Sequence, residues 1–194
     1  MRRPVSAGNS DLFRGRPFQD AGPGGRPPLR ATGVSPTIEE SWALRQVAEE
    51  SGTVLEVGTA WGYSAILMAL AGAEVWSVDP HTDHATWGEL NRNLDSYRVR
   101  DRVHPLKQYS QVALPSYLEQ GAQFDAAFID GDHSYLACNF DLWHALRLVR
   151  PGGVIAAHDY TPAWAGVKQA CDENLGHLEQ RRLVETLLIV RLPE

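Results

Sequence analysis

The sequence predicts an α/β fold in which helices alternate with the strands of a doubly wound, mostly parallel sheet. Three observations support this prediction: short apolar runs recur along the chain, helical patterns separate them, and several runs end in a polar residue. Sheets of this kind bind their ligands at the carboxyl ends of the strands. The polar strand ends are therefore the first place to look for a site.

A glycine turn joins the first predicted strand to the first helix of the sheet. The apolar run at 54–57 is typical of a buried strand, and the helical pattern at 64–71 follows a turn with Gly58 and Gly62. A strand, a glycine turn and a helix bring a nucleotide-like ligand to a helix N-terminus. The acid at the strand end, Glu56, favours a ligand with a positive ammonium group.

The glycine spacing narrows the choice of ligand. The dinucleotide fingerprint G-x-G-x-x-G is excluded because position 60 is Ala, and a phosphate loop is excluded because no Lys follows Gly62. The remaining pattern, E-x-G-x-x-x-G, suits S-adenosylmethionine. A turn whose glycines serve only tight packing is the alternative for this segment.

The rest of the chain continues the alternation of strands and helices. Thr37 and Glu40 form a capping box that opens a helix. Further strands are predicted at 74–79, 103–106, 123–130, 154–159 and 183–192, and further helices at 86–97 and 136–149. We expect a Rossmann-like sheet of about seven strands with helices on both faces.

The chain divides into an arm and a domain. Residues 1–34 are rich in Gly, Pro and Arg and have almost no periodic apolar pattern, so we expect a flexible N-terminal arm there. Residues 35–194 hold all the predicted strands and helices and form the expected catalytic domain. An arm of this composition gains order most readily against a neighbouring chain, which makes a homodimer plausible.

Two strand ends suggest how the ligand is held. Asp79 ends the second strand, where a carboxylate accepts hydrogen bonds from a ribose diol. The turn from Gly58 to Ser64 would surround the methionine portion, with the Ser64 hydroxyl and the helix dipole facing its carboxylate. Ser110 and Gln111 follow the third strand and are placed to meet the adenine edge; an ordinary helix cap at Ser110 is the alternative.

The other strand ends suggest the chemistry. Asp130, His158 and Asp159 converge if the fourth and fifth strands are neighbours, and they could then bind a divalent cation such as Mg²⁺. An imidazole suits Mn²⁺, Fe²⁺ or Zn²⁺ better, and a metal-free acidic pocket is the alternative. His133, three residues after Asp130, could take a hydroxyl proton as general base, or could serve only a structural role.

Taken together, these segments resemble the class I S-adenosylmethionine-dependent methyltransferases. Residues 54–65 look like the cofactor loop of catechol O-methyltransferase-type enzymes, and 128–135 with 151–160 are similar to small bacterial O-methyltransferases that act on sugars and natural products. The resemblance implies a donor site at Glu56, Gly58, Thr59, Ala60, Gly62, Tyr63, Ser64, Asp79, Pro80, Ser110, Gln111 and Asp130. It implies a cation at Asp130, His158 and Asp159, and catalysis by Asp130 and by His133, which stands where catechol-type enzymes have a lysine.

The chain departs from this pattern at two places. His158 stands where the family usually has an acid, and the family's extra N-terminal helices are largely replaced by the arm. The expected activity is transfer of a methyl group to a hydroxyl of a small molecule. A metal-independent methyltransferase and a non-catalytic S-adenosylmethionine-binding module are the alternatives.

Composition limits the partners and the location. The net charge of −6 argues against nucleic acid, because phosphate binding requires a basic face. The sequence has no apolar run near 18 residues and no signal segment, so no membrane association is expected. Its two cysteines, Cys138 and Cys171, lack metal-ligand spacing, so free thiols in the cytoplasm are the expectation.

Overall fold

The computed structural model describes the chain from residue 36 to residue 194. The strands are β1 (Thr53–Val57), β2 (Glu74–Asp79), β3 (Val103–Lys107), β4 (Phe124–Ile129), β5 (Val149–Ala157), β6 (Arg181–Val184) and β7 (Leu187–Arg191). The helices are α1 (Ile38–Glu49), α2 (Tyr63–Leu70), α3 (His84–Tyr97), α4 (Ser110–Glu119), α5 (Tyr135–Leu148) and α6 (Ala165–Leu175). The predicted arm, residues 1–34, lies outside the described residues.

The seven strands form a single sheet in the order β3-β2-β1-β4-β5-β7-β6. All neighbours pair in parallel except β7, which is antiparallel to both β5 and β6. The chain leaves β1 toward β2 and β3 on one side and returns to β4 on the other. A crevice therefore forms beyond the ends of β1 and β4, where ligands bind in doubly wound sheets. The predicted sheet is confirmed.

The core lies in two layers, one on each face of the sheet. Alternate residues of β1 point to opposite faces, so Val54 packs in one layer and Leu55 in the other. The first layer contains residues of α1, α2 and α3, and the second contains residues of α4, α5 and α6. Cys138 and Cys171 lie in the second layer as free, buried thiols. Helices therefore cover both faces, as predicted.

The predicted capping box opens α1. The Thr37 hydroxyl accepts from the Glu40 amide at 3.3 Å, and the Thr37 amide donates to Glu40 Oε2 at 2.8 Å. Both bonds satisfy amide groups that a helix N-terminus would otherwise leave unpaired.

The structure differs from the prediction in two strands. β5 begins at Val149, before the Pro-Gly-Gly segment that was expected to precede it. The close pairing of this part of β5 with β4 requires a glycine at 153, because a Cβ there would lie 2.6 Å from the Asp125 carbonyl oxygen. The predicted strand at 183–192 is a hairpin of β6 and β7 that turns at Glu185, whose φ is 50°.

Two helices were not predicted as such. The sequence of α4 contains Pro115, a residue that usually breaks a helix. In α6 the buried residues are separated by many polar residues, which weakens the apolar pattern.

Across residues 36–194, every helix is too short or too polar to span a bilayer.

Candidate active site

A cavity of about 720 Å³ opens beyond the carboxyl ends of β1, β2, β4 and β5. Most of the predicted site residues line this one cavity: Gly58, Thr59, Ala60, Tyr63, Ser64, Asp79, Pro80, Ser110, Gln111, Asp130, His133, His158 and Asp159. Glu56 and Gly62 do not line it. Glu56 is fully buried behind the wall, and Gly62 is the N-cap of α2.

The turn after β1 has a backbone that glycine makes possible. Gly58 and Gly62 have φ of 93° and 90°, and Ala60 between them has φ of 46°. Only glycine adopts such angles without strain. At Gly58 there is also no room for a side chain, because a Cβ would lie 2.0 Å from the Asp130 carbonyl oxygen.

The N-terminus of α2 is open to an anion. Gly62 provides no side chain to cap the first turn, so no side-chain hydrogen bond satisfies its amide groups. The end of the helix also carries a partial positive charge. Ser64 lies in this first turn on the cavity wall. A carboxylate fits this position.

Ser64 also connects the cavity to Glu56. Its hydroxyl donates to Glu56 Oε1 at 2.5 Å, while Glu56 Oε2 is buried without a hydrogen-bond partner among the described residues. Burial raises the pKa of Glu56 to about 8, with a further contribution from the charge of Asp130. Glu56 is therefore linked to the cavity wall through Ser64 and is a buried acid whose pKa lies above its usual range.

Asp79 is fixed by the backbone around it. Its Oδ2 accepts from the Ala60 amide at 2.9 Å, and its Oδ1 accepts from the His81 amide at 2.7 Å. Each carboxylate oxygen has a second lone pair, so both can accept a further hydrogen bond. The position and geometry suit a ribose diol.

An acid that the sequence reading missed lies in the wall near Ser110. Asp141 on α5 is 1% exposed and borders the cavity. The sequence does contain a pattern that could have indicated Asp141, because this acid stands on the apolar helix face formed by Cys138, Leu142 and Ala145. A charged residue at such a position requires a partner or a function.

Two acids and two histidines meet where β4 and β5 end. His133 Nε2 lies 2.8 Å from Asp159 Oδ2 and 3.9 Å from Asp130 Oδ1. His158 Nδ1 lies 3.3 Å from the same oxygens of both acids. Asp159 has φ of 59°, a strained conformation that turns the chain at this point. We call these four residues the acid–histidine cluster.

Two neighbours hold the cluster in place. The ring of Trp164 stacks on that of His133, with centroids 4.4 Å apart and planes at 24°. Glu40 approaches His158 Nε2 at 3.2 Å with Oε2, and its Oε1 accepts from the Thr186 amide and hydroxyl at 2.8 and 2.7 Å. Glu40 therefore links α1, β5 and the β6–β7 hairpin beside the site.

The cluster holds its histidines in the charged form. Asp130 and Asp159 raise the pKa of His133 to about 9. Burial alone would lower the pKa of His158, but the same two acids outweigh it and raise the pKa to about 11. The two imidazoles in turn hold the pKa of Asp159 well below its usual range. At neutral pH His133 is thus protonated, and the predicted base role requires that it first lose this proton.

One set of possible metal ligands is present among the described residues. Donor atoms of Asp130, His133 and Asp159 all lie within 4.8 Å of one another. The predicted set had His158 in place of His133. Two carboxylates and an imidazole are a donor set for Mn²⁺, Fe²⁺ or Zn²⁺, so the residues fit a divalent cation.

A doubly wound sheet with a polar cavity at its strand ends is typical of enzymes that bind nucleotide-like ligands. Comparisons with known proteins identify the family. Residues 55–160 match a family described as a methyltransferase domain. The chain is 33% identical over 133 residues to a catechol O-methyltransferase from Niastella koreensis, an alignment that covers 66% of this chain and 58% of that protein. The chain therefore spans somewhat more than half the length of this relative.

Solved structures share the fold. An O-methyltransferase from Bacillus cereus in complex with SAH superposes with a TM-score of 0.68 at 18% identity, covering 83% of each chain. The O-methyltransferase TomG from Streptomyces achromogenes, in complex with SAM, gives 0.65 at 18% identity, also covering 83% of each chain. The chain belongs to the methyltransferase-domain family, and the predicted resemblance is confirmed at this level.

We expect Gly58→Ala to destabilise the protein by several kcal/mol, because the new Cβ would collide with the Asp130 carbonyl. Chemical denaturation measures the effect. The matched control is Gly72→Ala, where φ is also positive but no atom lies within 4 Å of the new Cβ. This control should lose only about 1–2 kcal/mol. Equal losses in the two variants would show that the close approach at Gly58 is not a constraint.

We expect Glu56 to make stability fall as pH rises. The folded pKa of Glu56, about 8, is above its ordinary 4.5, so its contribution is complete below pH 4.5 and is lost as pH rises through 8. Glu56→Gln cannot titrate. The free energy of unfolding of the wild type minus that of the variant should therefore decrease by up to a few kcal/mol between pH 4.5 and pH 8. A difference that is constant across this range would contradict the buried-acid account.

Proposed function

We propose that this protein is an O-methyltransferase that transfers the methyl group of S-adenosylmethionine to a hydroxyl of a small molecule. The observation that carries the proposal is that one cavity is bordered by both a donor site and the acid–histidine cluster. Membership of the methyltransferase-domain family supports it. We further propose that a divalent cation takes part.

The donor half of the cavity matches S-adenosylmethionine group by group. The N-terminus of α2 would bind the methionine carboxylate through its partial positive charge, and Glu56 behind Ser64 would favour the ammonium group. Asp79 would accept hydrogen bonds from the ribose diol. Ser110 and Gln111 line the side expected to hold adenine. Thr59, Ala60, Tyr63 and Pro80 complete the wall.

The acceptor half must orient a hydroxyl and remove its proton. Methyl transfer is a displacement at the methyl carbon: the acceptor oxygen forms a bond to carbon, the carbon–sulfur bond breaks, and the sulfonium becomes a neutral thioether. The protein mainly aligns the two reactants, which can supply much of the rate increase. Asp130, or His133 once it has given up its own proton, would take the acceptor proton, and Trp164 would pack beside the acceptor.

Asp130 and Asp159, with His133 or His158, would hold the divalent cation. A cation there supplies positive charge that orients an acceptor oxygen and makes its proton more acidic. The two carboxylates could bind it only by giving up their ion pairs with the imidazoles. A metal-independent methyltransferase is the second candidate, because two protonated histidines already balance Asp130 and Asp159.

The cavity and one relative support a proposal for the class of acceptor. Acidic and polar groups surround the acceptor half, with Trp164 as its aromatic wall. The relative from Niastella koreensis is named for catechol, an aromatic diol. We therefore infer a small hydroxyl compound with an aromatic or sugar ring, and no nucleic acid or membrane partner.

Donor binding and turnover should respond to different residues. Calorimetric titration with S-adenosylmethionine should give micromolar affinity, which Asp79→Asn should weaken about tenfold because the ribose loses an acceptor. His133→Ala should keep affinity within a few-fold but strongly reduce methyl transfer to catechol and other small hydroxyl compounds. Loss of binding in His133→Ala would contradict this division. Donor binding without turnover on any acceptor would favour a non-catalytic binding module.

The metal proposal can be tested without turnover. We expect Mn²⁺ to bind the metal-stripped protein, and Asp159→Asn to abolish this binding. His133→Gln and His158→Gln then separate the two ligand sets, since only the ligating histidine should weaken Mn²⁺ binding about tenfold or more. His104→Gln, on β3 outside the cavity, is the control. Undiminished turnover in chelator, with no Mn²⁺ binding, would establish the metal-independent candidate.

A further inference from the structure

β6 is the last strand on one side of the sheet, and no strand pairs with its outer edge among the described residues. The backbone groups on such an edge can pair with another chain, so edge strands are commonly blocked by proline or by unmatched charge. The opposite edge strand, β3, contains Pro105, which has no amide hydrogen to donate. β6 contains no proline. The edge formed by β6 is therefore open to pairing.

The open edge is centred on Leu183. The Arg191 amide of β7 donates to the Gln180 carbonyl at 2.9 Å. Because backbone bonds in an antiparallel pair alternate along the strand, Arg182 also bonds to β7, and Leu183 directs its amide and carbonyl outward. The Leu183 side chain is 52% exposed. Leu183 thus presents both outward backbone groups and an apolar side chain at this edge.

We propose that two copies of this chain pair through β6, antiparallel across a two-fold axis at Leu183, so that their sheets join. A symmetric pair places Leu183 opposite itself, and each residue before it opposite the residue equally far after it. Arg181 then faces Glu185 of the partner subunit, and Arg182 faces Val184 of the partner subunit. This inference is independent of the proposed function, because the edge is the same whatever reaction the cavity supports.

Charge favours this register over its neighbours. Opposite charges on facing positions of an antiparallel pair stabilise it, and like charges destabilise it. With the axis at Leu183, both ends of the interface gain an ion pair between Arg181 and Glu185. An axis at Arg182 would place two arginines opposite each other. An axis at Val184 would place Leu183 opposite an acid.

Both members of this ion pair are available on the surface. Arg181 and Glu185 are exposed. One guanidinium nitrogen of Arg181 donates to the Gly176 carbonyl at 3.0 Å, and the guanidinium has further donors that can reach an acid. β6 begins at Arg181 and the chain turns at Glu185, so the two ends of the strand pairing coincide with the two ion pairs.

Helix α1 adds apolar surface beside this edge. The Arg182 side chain donates to Gln46 Oε1 at 3.4 Å, which places α1 over β6. Trp42, one helical turn before Gln46, is 40% exposed. The two-fold axis would put both α1 helices over the same face of the joined sheet. Burial of Trp42 there would add apolar contact to the short strand pairing.

The pairing would bring a residue of one copy to the cavity of the other. Glu185 lines the cavity, and no Lys or Arg is among the described residues that line it. Arg181 of the partner subunit would supply a positive charge at this part of the wall. An acceptor that enters past Glu185 would then meet an ion pair instead of a lone carboxylate.

The test is the mass of the full chain in solution, measured by sedimentation equilibrium. At micromolar concentration the wild type should have twice the mass of one chain. Arg181→Glu and Glu185→Arg each place like charges opposite each other, and each should raise the dissociation constant of the dimer at least about tenfold. The variant with both changes restores opposite charges and should return to within about threefold of the wild type.

Two further variants complete the test. Leu183→Pro removes an outward amide hydrogen and leaves the bonds to β7 in place, so it should give monomers. Glu119→Arg is the control, because it reverses an exposed acid at the end of α4, a helix that packs on α5 and β2. This control should remain dimeric.

Each contrary outcome identifies what is wrong. A monomeric wild type would overturn the dimer and leave the edge to a strand of another protein. A dimer that persists in both single charge variants and in Leu183→Pro would place the interface elsewhere and overturn the pairing through β6. Single variants that are monomeric without recovery in the double variant would overturn the contact between Arg181 and Glu185.

Discussion

The site depends on how closely the turn after β1 approaches the end of β4. The Asp130 amide donates to the Val57 carbonyl at 2.9 Å, and the Gly58 amide donates to the Val78 carbonyl at 2.9 Å. These bonds bring Gly58 against the Asp130 backbone, where no side chain fits. Because this turn and the first acid of the cluster touch, a methyl donor bound at the turn as proposed would lie next to an acceptor at the cluster. The doubly wound topology provides this contact by placing β1 between β2 and β4.

Charge is the second constraint on the site. Two acids that meet at a strand end repel each other unless cations separate them, and here two imidazoles do so. Glu40 adds a third carboxylate behind His158 and is itself held by Thr186. The hydrogen bonds from Thr186 and Thr37 overcome the effect of burial and lower the pKa of Glu40 to about 2, so it stays charged. The cluster is thus a fixed arrangement of charges. A bound cation or acceptor would have to compete with the histidines for Asp130 and Asp159. The roles of the two histidines therefore need direct tests.

The sequence predicted those parts of the site that local patterns determine. The glycine turn, the strand-end acids and the capping box are short-range features, and the structure brings their residues to one cavity. Glu40 was predicted only as a helix cap, because its contact with His158 joins residues 118 positions apart. Asp141 was not predicted, because the apolar period of α5 indicates a helix but does not show which of its positions meets the cavity. The β6–β7 hairpin was read as one strand because the turn at Glu185 contains no glycine or proline.

The most direct test is a crystal structure of the protein with S-adenosylhomocysteine and Mn²⁺. The account predicts the homocysteine carboxylate at the N-terminus of α2 and the ribose on Asp79. It also predicts Mn²⁺ between Asp130 and Asp159, visible by its anomalous signal. Ligand density outside the cavity, or in the reverse orientation with adenine against the acid–histidine cluster, would contradict the account.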